Sequence, residues 1–224
     1  MSGTKPTSGK VRITNGVVQI STKLVIGDYY VIYNSNSKKC EAIEKGNRLT
    51  CNLQEGTSQK IGSKYTCHLD SDRTFYVLET NENEISLIMD RNFTDENISS
   101  SLAWCIDGGN DNTTCKNINS EEEGTPLKHI QDIFGINVDV SFPTKEQLEG
   151  AYTETMPTWL YDYLNGTTNS LPGVYGYWTT SIDTVHSFAA WYVRFNGIVY
   201  RNNVDKSDTY GLRPVITVTK SQLD

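Results

Sequence analysis

The chain has 224 residues, of which 10% are aromatic and 21% are charged, and its formal net charge is −7. This composition is typical of a folded globular chain, and it argues against a disordered or membrane-embedded one. Because the lysines and arginines are scattered and form no basic stripe, we expect no nucleic-acid partner.

No run approaches the roughly 20 consecutive apolar residues of a membrane span. The start, MSGTKPTSGK, also lacks the apolar middle of a secretion signal. We therefore expect either that the protein is cytosolic or that a leader peptide has been removed. Because MSGTKP reads as an artificial start, we also expect the native chain to extend further upstream.

Residues 10–33 alternate apolar and polar side chains across two turn signals, Asn15-Gly16 and Gly27-Asp28. This pattern predicts a β-meander. The alternation is lost in the polar stretch that follows, which places a domain boundary between residues 55 and 60. We therefore expect a small β-rich segment over residues 1–58 and a second domain over residues 59–224.

The second domain opens with three predicted strands between residues 64 and 93, with the cores TFYVL and ISLIM. Residues 94–124 are rich in Asn, Asp, Ser and Gly, which predicts one long loop. A loop of this length in a compact domain is usually functional or tied down. Cys105 and Cys115 lie within this loop, and a bond between them could hold it in place.

Two amphipathic helices are predicted next. TPLKHIQDIFG carries apolar residues at helical spacing and stops at Gly135, and FPTKEQLEGAY has Thr144 and Gln147 as a capping box. PTWLYDYLNG is expected to form a third short helix. The remaining sequence predicts a hairpin around Asn196-Gly197 and a final strand in GLRPVITVTK.

Four of the five cysteines form two short-range pairs, Cys40 with Cys51 and Cys105 with Cys115, and Cys67 is left over. A disulfide that closes a loop of about 10 residues stabilises a fold by roughly 2–3 kcal/mol. The spacing lacks the CxxC pattern of zinc sites, so no metal site is predicted. Disulfides indicate an oxidising compartment, and five buried thiols in a cytosolic protein are the alternative.

The three histidines, His68, His129 and His186, stand in no recognisable catalytic context. The sequence also lacks the GxSxG, HExxH, GxGxxG and phosphate-loop motifs. The aspartates at positions 70, 72, 107 and 111 lack the full calcium-loop pattern and are expected to form turns. We therefore expect no enzyme activity, no cofactor and no metal.

Four Asn-x-Ser/Thr sequons begin at Asn92, Asn97, Asn112 and Asn165. They would accept glycans in a eukaryotic secreted protein. In a chain this rich in Asn and Thr, chance explains them equally well.

The C-terminal stretch resembles a known fold. The residues that carry the resemblance are GYWTT at 176–180, Ala190, Trp191, Val193, Gly197 and GLRPVI at 211–216. They resemble the C-terminal half of bacterial C-type-lectin-fold domains, the group shared by formylglycine-generating-enzyme-like proteins and the variable proteins of diversity-generating retroelements. Upstream of these residues, the segments FYVL, LIMDRNF, FPTKEQL and TWLYDYL occur in the order found in such domains. The resemblance therefore covers residues 62–224. It implies an α+β fold with helices flanking antiparallel sheets.

Residues 5–33 are similar to the β-rich tail of bacterial type IV pilin-like proteins. Those proteins carry an N-terminal hydrophobic helix that inserts in the membrane and then packs in a pilus shaft. The resemblance implies that this chain is the soluble end of a longer cell-surface protein. Attachment to a membrane is then expected only through an upstream helix, and pilus assembly is one candidate interaction.

Neither chemistry known in the C-type-lectin group is expected here. Formylglycine-type oxidation needs cysteines in the C-terminal half, but the last cysteine is Cys115, which precedes both helices. Calcium-dependent sugar binding uses EPN, QPD or WND motifs, and none of these occurs. Their absence argues against these activities and not against the fold.

The predicted hairpin AWYVRFNGIVY alternates Trp191 and Val193 with Tyr192 and Arg194, so we expect the first pair in the core and the second in solvent. Tyrosine and arginine give large contact areas and directional bonds at interfaces. By resemblance, the same region of retroelement variable proteins holds the diversified, ligand-contacting positions. The candidate ligand-binding residues are Ser181, Asp183, His186, Phe188, Tyr192, Arg194, Asn196, Ile198, Tyr200, Asn202, Asp205 and Asp208.

Structural roles for the same region are the alternative. Exposed Tyr, Asn and Arg are ordinary on an edge hairpin, so this surface could bind nothing. Trp159, Trp178 and Trp191 are expected in the core. Arg213, before Pro214, is expected to form a buried ion pair or to contact carbonyl groups that fix the final strand.

The sequence therefore predicts non-enzymatic recognition at the cell surface, by an adhesin or display protein that binds a protein or another macromolecule. The alternatives are a structural pilin-like protein without a ligand and an enzyme of the formylglycine-generating type.

Overall fold

The structure is a computed structural model. Its described residues are 11–14, 17–20, 24–26, 29–34, 39–44, 49–99, 101–135, 138–161, 176–206, 210–220 and 223. The chain divides into two compact units, Met1–Arg48 and Leu49–Asp224. The division lies after Arg48 and not after residue 58, because the strand Thr50–Glu55 pairs with Lys64–His68 in a sheet of the second unit.

The first unit contains five described strands, paired antiparallel in two sheets. They are β1 (Val11–Thr14), β2 (Val17–Ile20), β3 (Leu24–Ile26), β4 (Tyr29–Asn34) and β5 (Lys39–Glu44). β1 pairs with β2, while β3, β4 and β5 form a separate sheet. The strands agree with the predicted alternation, but in the described part of this unit they do not form one continuous meander.

The second unit is a sheet-rich α+β arrangement. Its strands are β6 (Thr50–Glu55), β7 (Lys64–His68), β8 (Asp72–Thr80), β9 (Glu84–Met89), β10 (Asp139–Ser141), β11 (Gly176–Ile182), β12 (Ala189–Arg194), β13 (Val199–Asn203), β14 (Tyr210–Gly211) and β15 (Val215–Thr219). β6 to β10 and β15 form a six-stranded antiparallel sheet in the order β10-β15-β9-β8-β7-β6. The other four strands form a smaller sheet, β13-β12-β11-β14, in which β14 alone runs parallel to its neighbour.

The helices form where the local capping signals place them. α1 (Pro126–Phe134) begins after Thr125, whose hydroxyl accepts the Lys128 N–H, and it ends at Gly135. α2 (Lys145–Gly150) has both hydrogen bonds of the predicted capping box between Thr144 and Gln147. The third predicted helix is shorter than expected. Thr158–Leu160 forms one 3-10 turn, and the predicted continuation beyond residue 161 lies outside the described residues.

Two hydrophobic clusters lie on opposite faces of the smaller sheet. Trp178 and Tyr192 belong to the larger cluster, whereas their chain neighbours Tyr177 and Val193 belong to the second. Since successive side chains of a strand point to opposite faces, both faces of β11 and β12 are buried. Close backbone packing is required as well, because a Cβ atom at Gly176 would lie 1.8 Å from the carbonyl oxygen of Val193.

Two disulfides cross-link the second unit. Cys105 is bonded to Cys115, as predicted. The second bond joins Cys51 to Cys67, so the predicted pair of Cys40 with Cys51 is wrong and Cys67 is not left over. Cys51 and Cys67 lie directly opposite each other on β6 and β7, with 4.0 Å between their Cα atoms, whereas Cys40 lies on β5 of the first unit. Two disulfides indicate an oxidising compartment of the extracellular type.

Arg213 is buried and bonds to backbone carbonyl groups, which confirms one of its two expected roles. Its Nε donates to the Met89 oxygen over 2.5 Å, its Nη2 donates to the Trp159 oxygen over 2.8 Å, and its Nη1 donates to the Leu160 oxygen. Burial lowers the pKa of Arg213 and raises the pKa of the neighbouring Tyr177 to about 12. The guanidinium thus joins β9, the 3-10 turn and the segment before β15.

No helix among the described residues is long and apolar enough to cross a membrane.

Candidate functional site

β12 and β13 form the predicted hairpin, closed by a three-residue loop at 195–197. The Arg194 N–H donates to the Ile198 oxygen over 2.8 Å. Gly197 has φ 75°, the left-handed conformation that such a loop requires at its last position. A Cβ atom at Gly197 would also lie 2.6 Å from the ring of Tyr161. The Asn-Gly signal in the sequence therefore marks the turn correctly, and the loop is packed on one side.

The hairpin exposes fewer of the predicted residues than strand alternation suggests. Tyr192 was expected in solvent but is 4% exposed. Its ring centroid lies 5.9 Å from that of Trp178 and 4.0 Å from that of Tyr210. The prediction for Tyr192 is wrong because a hydrophobic cluster covers the face that the alternation assigned to solvent. Arg194 and Tyr200 are exposed, as expected.

Exposed apolar side chains are concentrated at this hairpin and at the turn before it. Seven large hydrophobic residues of the described chain are exposed, and five of them fall between residues 182 and 200. These five are Ile182 (36%), Val185 (78%), Phe188 (50%), Ile198 (48%) and Tyr200 (55%). Scattered single apolar residues are normal on a surface, whereas contiguous exposed apolar patches are typical of interaction sites.

The turn between β11 and β12 is organised around the carboxylate of Asp183. Asp183 is 4% exposed and accepts the Val185 N–H and the His186 Nδ1, each over 2.9 Å. The guanidinium of Arg201 lies 3.2 Å from the same carboxylate. The Val185 N–H, followed by His186 and Arg201, holds the pKa of Asp183 below its ordinary value. Asp183 therefore positions this turn and presents little of itself to a ligand.

Asn112 joins the disulfide loop to the same turn. Its side chain is buried, and its Nδ2 donates to the carbonyl oxygens of Asp183 (3.1 Å), His186 (3.2 Å) and Ala189 (2.6 Å). Its own N–H donates to the Ser187 oxygen over 2.5 Å. Because the amide nitrogen is engaged and buried, the Asn112 sequon is not accessible to glycosylation. Cys105 N–H donates to the Val204 oxygen over 2.9 Å, so the disulfide loop also contacts the end of the hairpin.

The remaining predicted site residues differ in exposure, and some of them form structural hydrogen bonds. The Ser181 hydroxyl accepts the Lys145 N–H over 2.9 Å and bonds to Glu146 over 3.0 Å, so it fixes the start of α2. Asn202 is half-buried, and its Nδ2 donates to the Tyr210 hydroxyl over 2.8 Å. Asn196 and Asp205 are exposed, and His186 is half-buried with its ring centroid 5.4 Å from that of Phe188. Asp208 lies outside the described residues.

Two of the three tryptophans expected in the core are only partly buried. Trp178 is fully buried, as predicted. Trp159 stacks on Tyr76 with 5.3 Å between ring centroids and packs against the second cluster. Trp191 is half-buried, and the ammonium group of Lys145 lies 4.9 Å from its ring centroid.

The sequence prediction missed three exposed residues, Ile182, Val185 and Arg201, and it missed Asn112, which supports the turn from a buried position. Asn112 bonds to residues more than 70 positions further along the chain, and no local pattern reveals such contacts. Ile182 and Val185 were not included among the predicted ligand-binding residues. Arg201 was overlooked because its partner, Asp183, is distant in sequence.

Comparisons of the chain with protein-family models, with curated proteins and with solved structures give no significant match. Within the described residues, no group of three or more His, Cys, Asp or Glu side chains is placed to hold a metal ion. The clustered side chains between residues 182 and 206 are thus the feature on which a functional conclusion depends. We call the exposed side chains of Ile182, Val185, Phe188, Arg194, Ile198, Tyr200 and Arg201 the hairpin surface.

Proposed function

We propose that the chain is a non-enzymatic, ligand-binding protein of the cell surface. The hairpin surface contacts a protein or another macromolecule. The observation that carries this proposal is the concentration of exposed apolar residues, five of seven, between residues 182 and 200. Exposed apolar patches are typical of protein interaction sites.

The side-chain types on the hairpin surface suit a macromolecular ligand. Tyr200 and Phe188 are aromatic and Arg194 and Arg201 are arginines, and both types are enriched among residues that dominate binding energy.

The hairpin surface is supported by packing on both faces of β12. Tyr192 belongs to one hydrophobic cluster and Val193 to the other, and Asn112 and the Cys105–Cys115 disulfide hold the preceding turn. A rigid support lowers the entropic cost of binding, because the contacting residues are already ordered. It also allows exposed residues to change without loss of the fold.

The finer assignment of the fold belongs to the same proposal. We assign the second unit to the C-type-lectin-like fold, since GYWTT lies on β11 and the hairpin follows in a small sheet beside a larger antiparallel one. By this resemblance the hairpin surface corresponds to the diversified region of retroelement variable proteins. The first unit is assigned to the pilin-like segment by the same resemblance.

An array of purified extracellular proteins and glycans, probed with the folded chain, tests the proposal. We expect at least one ligand to bind the wild type and to bind the Phe188→Ser, Arg194→Ala, Tyr200→Ala variant at least tenfold more weakly. Tyr192 is left intact because it is buried. The matched control is Leu53→Ala with Ile61→Ala, which removes the two large exposed apolar residues that the described part of the chain carries outside the hairpin surface.

The control is expected to bind like the wild type, and both variants are expected to melt within about 3 °C of it, since exposed substitutions change stability little. A wild type that binds nothing on the array, or a triple variant that binds as tightly as the control, contradicts the proposed function.

A further inference from the structure

The outer edge of β13 presents backbone groups that bond to no other described residue. Val204 N–H donates to the Phe188 oxygen over 3.0 Å, so these two residues form a hydrogen-bonded pair between the strands. Such pairs alternate along an antiparallel ladder, so the even-numbered residues of β13 bond to β12. The N–H and C=O groups of Val199 and Arg201 therefore point away from β12, and β13 is the end strand of its sheet.

The other sheet edges of the second unit are less suited to pairing. β6 has a register shift between Leu53 and Glu55, and its Cys51 also bridges to Leu223. β10 has three residues and β14 has two. β13 has five residues with no register shift and no proline, and an edge of this kind accepts an added strand.

Side chains on and beside β13 would contact an added strand on both faces of the sheet. Ile198 and Tyr200 expose apolar surface on the face that also carries Tyr192. Arg201, next in the chain, points to the opposite face and is 45% exposed. An extended segment with alternating side chains would therefore meet apolar surface on one face and a guanidinium on the other.

The charges near this edge favour an acidic partner. Arg194, Arg201 and Lys206 lie on or beside the hairpin, against the exposed Asp205 and the buried Asp183. Arg194 forms no ion pair with any described carboxylate, although the chain has 27 acidic and 20 basic residues. These described charges leave one net positive charge at the edge, because Arg201 is paired with Asp183 and Arg194 is not paired. On an acidic protein this charge favours carboxylates over a second copy of the same edge.

We propose that β13 binds an extended, acidic peptide segment of its partner as a fifth strand of the small sheet. Backbone hydrogen bonds to Val199 and Arg201 hold the segment. Its apolar side chains pack over Ile198 and Tyr200 on one face, and its carboxylates lie beside Arg201 on the other face. This inference rests on the proposed function and names the class of ligand that the hairpin surface takes.

Fluorescence anisotropy with a labelled heptapeptide of alternating Val and Glu tests the inference on the full chain. We expect the peptide to bind, and the same peptide with Lys in place of Glu to bind at least tenfold more weakly. Two N-methylated forms of the Glu peptide test the backbone bonds. Methylation of alternate amides in one register blocks the bonds to β13, and methylation in the other register leaves them intact. The two forms should differ at least tenfold in affinity.

Arg201→Pro and Arg201→Ala are the matched protein variants. Both lose the contact with Asp183, but only proline removes the outward N–H and places its ring on the edge. We expect Arg201→Pro to bind the Glu peptide at least tenfold more weakly than Arg201→Ala. If Arg201→Pro melts well below Arg201→Ala, the comparison of the two N-methylated peptides on the wild type decides alone.

The inference is overturned if the wild type does not bind the Glu peptide at millimolar concentration, or if the two N-methylated forms bind equally. It is also overturned if sedimentation shows a dimer of the wild type that Arg201→Pro abolishes and Arg201→Ala does not. These outcomes are distinct from failure of the proposed function. A ligand that needs Phe188 and Tyr200 but ignores backbone methylation would leave the binding function standing without strand addition.

Discussion

Replacing Asn112 with alanine tests whether the disulfide loop holds the hairpin surface in place. The two hydrogens of its side-chain amide serve three carbonyl oxygens of residues 183, 186 and 189, at 2.6–3.2 Å. Asn112 is 4% exposed, so these acceptors lose their donor in a site closed to solvent. The backbone bond from residue 112 to Ser187 remains in the variant.

The magnitude follows from the two lost donors. A hydrogen bond contributes about 1 kcal/mol net, and leaving a buried acceptor unsatisfied costs about 1–3 kcal/mol. We therefore expect the free energy of unfolding of Asn112→Ala to fall by about 2–4 kcal/mol. For a domain of this size each kcal/mol lowers the melting temperature by about 2–4 °C, which gives a fall of roughly 5–15 °C.

Urea unfolding gives the free energy, and hydrogen exchange of residues 183–189 reports the turn directly. Protection of these amides should fall in Asn112→Ala, together with the affinity of any ligand found on the array. Asn110→Ala is the matched control, since Asn110 lies in the same loop and is exposed, and it should stay within about 0.5 kcal/mol of the wild type. If Asn112→Ala unfolds and exchanges like Asn110→Ala, the amide does not hold the turn and the reasoning fails.

Three further predictions concern the disulfide, the core and the buried carboxylate. Replacing Cys105 and Cys115 together with serine opens a loop with a sequence separation of 10, and urea unfolding should show a loss of about 2–3 kcal/mol. Tyr192→Ala should cost about 3–5 kcal/mol by the same measurement, whereas Tyr200→Ala should change stability by less than about 0.5 kcal/mol. The pKa of Asp183 lies below its ordinary value of 3.8, so its charged form stabilises the fold above that pH and the stabilisation is lost as pH falls through the lowered pKa. The difference in melting temperature between wild type and Asp183→Asn should therefore shrink as the pH falls below 3.8.

Each of these predictions has a contrary result. A serine variant as stable as the oxidised wild type would show that the Cys105–Cys115 bond restricts the unfolded chain little. Equal losses for the two tyrosine variants would contradict the burial of Tyr192. A pH-independent difference for Asp183→Asn would mean that the bonds from Val185, His186 and Arg201 do not depend on the carboxylate charge.

Local signals predicted local structure well. Thr125 and Thr144 cap α1 and α2 through bonds within the next three residues, and the Asn196-Gly197 turn depends on the backbone freedom of one glycine. Such features are encoded within a few consecutive residues, so the sequence is sufficient. The strand β6 was missed because all of its residues except Cys51 are exposed, so its sequence resembles that of a polar linker.

Contacts between distant segments could not be predicted in the same way. Alternation along β12 shows that Tyr192 and Arg194 share a face, but it does not show that a hydrophobic cluster covers that face at Tyr192. Sequence distance favoured Cys40 as the partner of Cys51, whereas strand register placed Cys67 opposite it. The candidate site was found in outline because its exposed aromatic and arginine residues are close in sequence, and its supports were missed because they are not.

The Cys51–Cys67 bond also bears on how this unit would respond to mechanical load. A pull transmitted from the preceding residues reaches the unit at Leu49 and meets the sulfur bridge two residues later. The force then crosses a covalent bond to β7, so residues 52–66 lie outside the load path and β6 cannot be peeled away first. Rupture under load would therefore have to begin deeper in the sheet, and reduction of this one bond would lower the force needed.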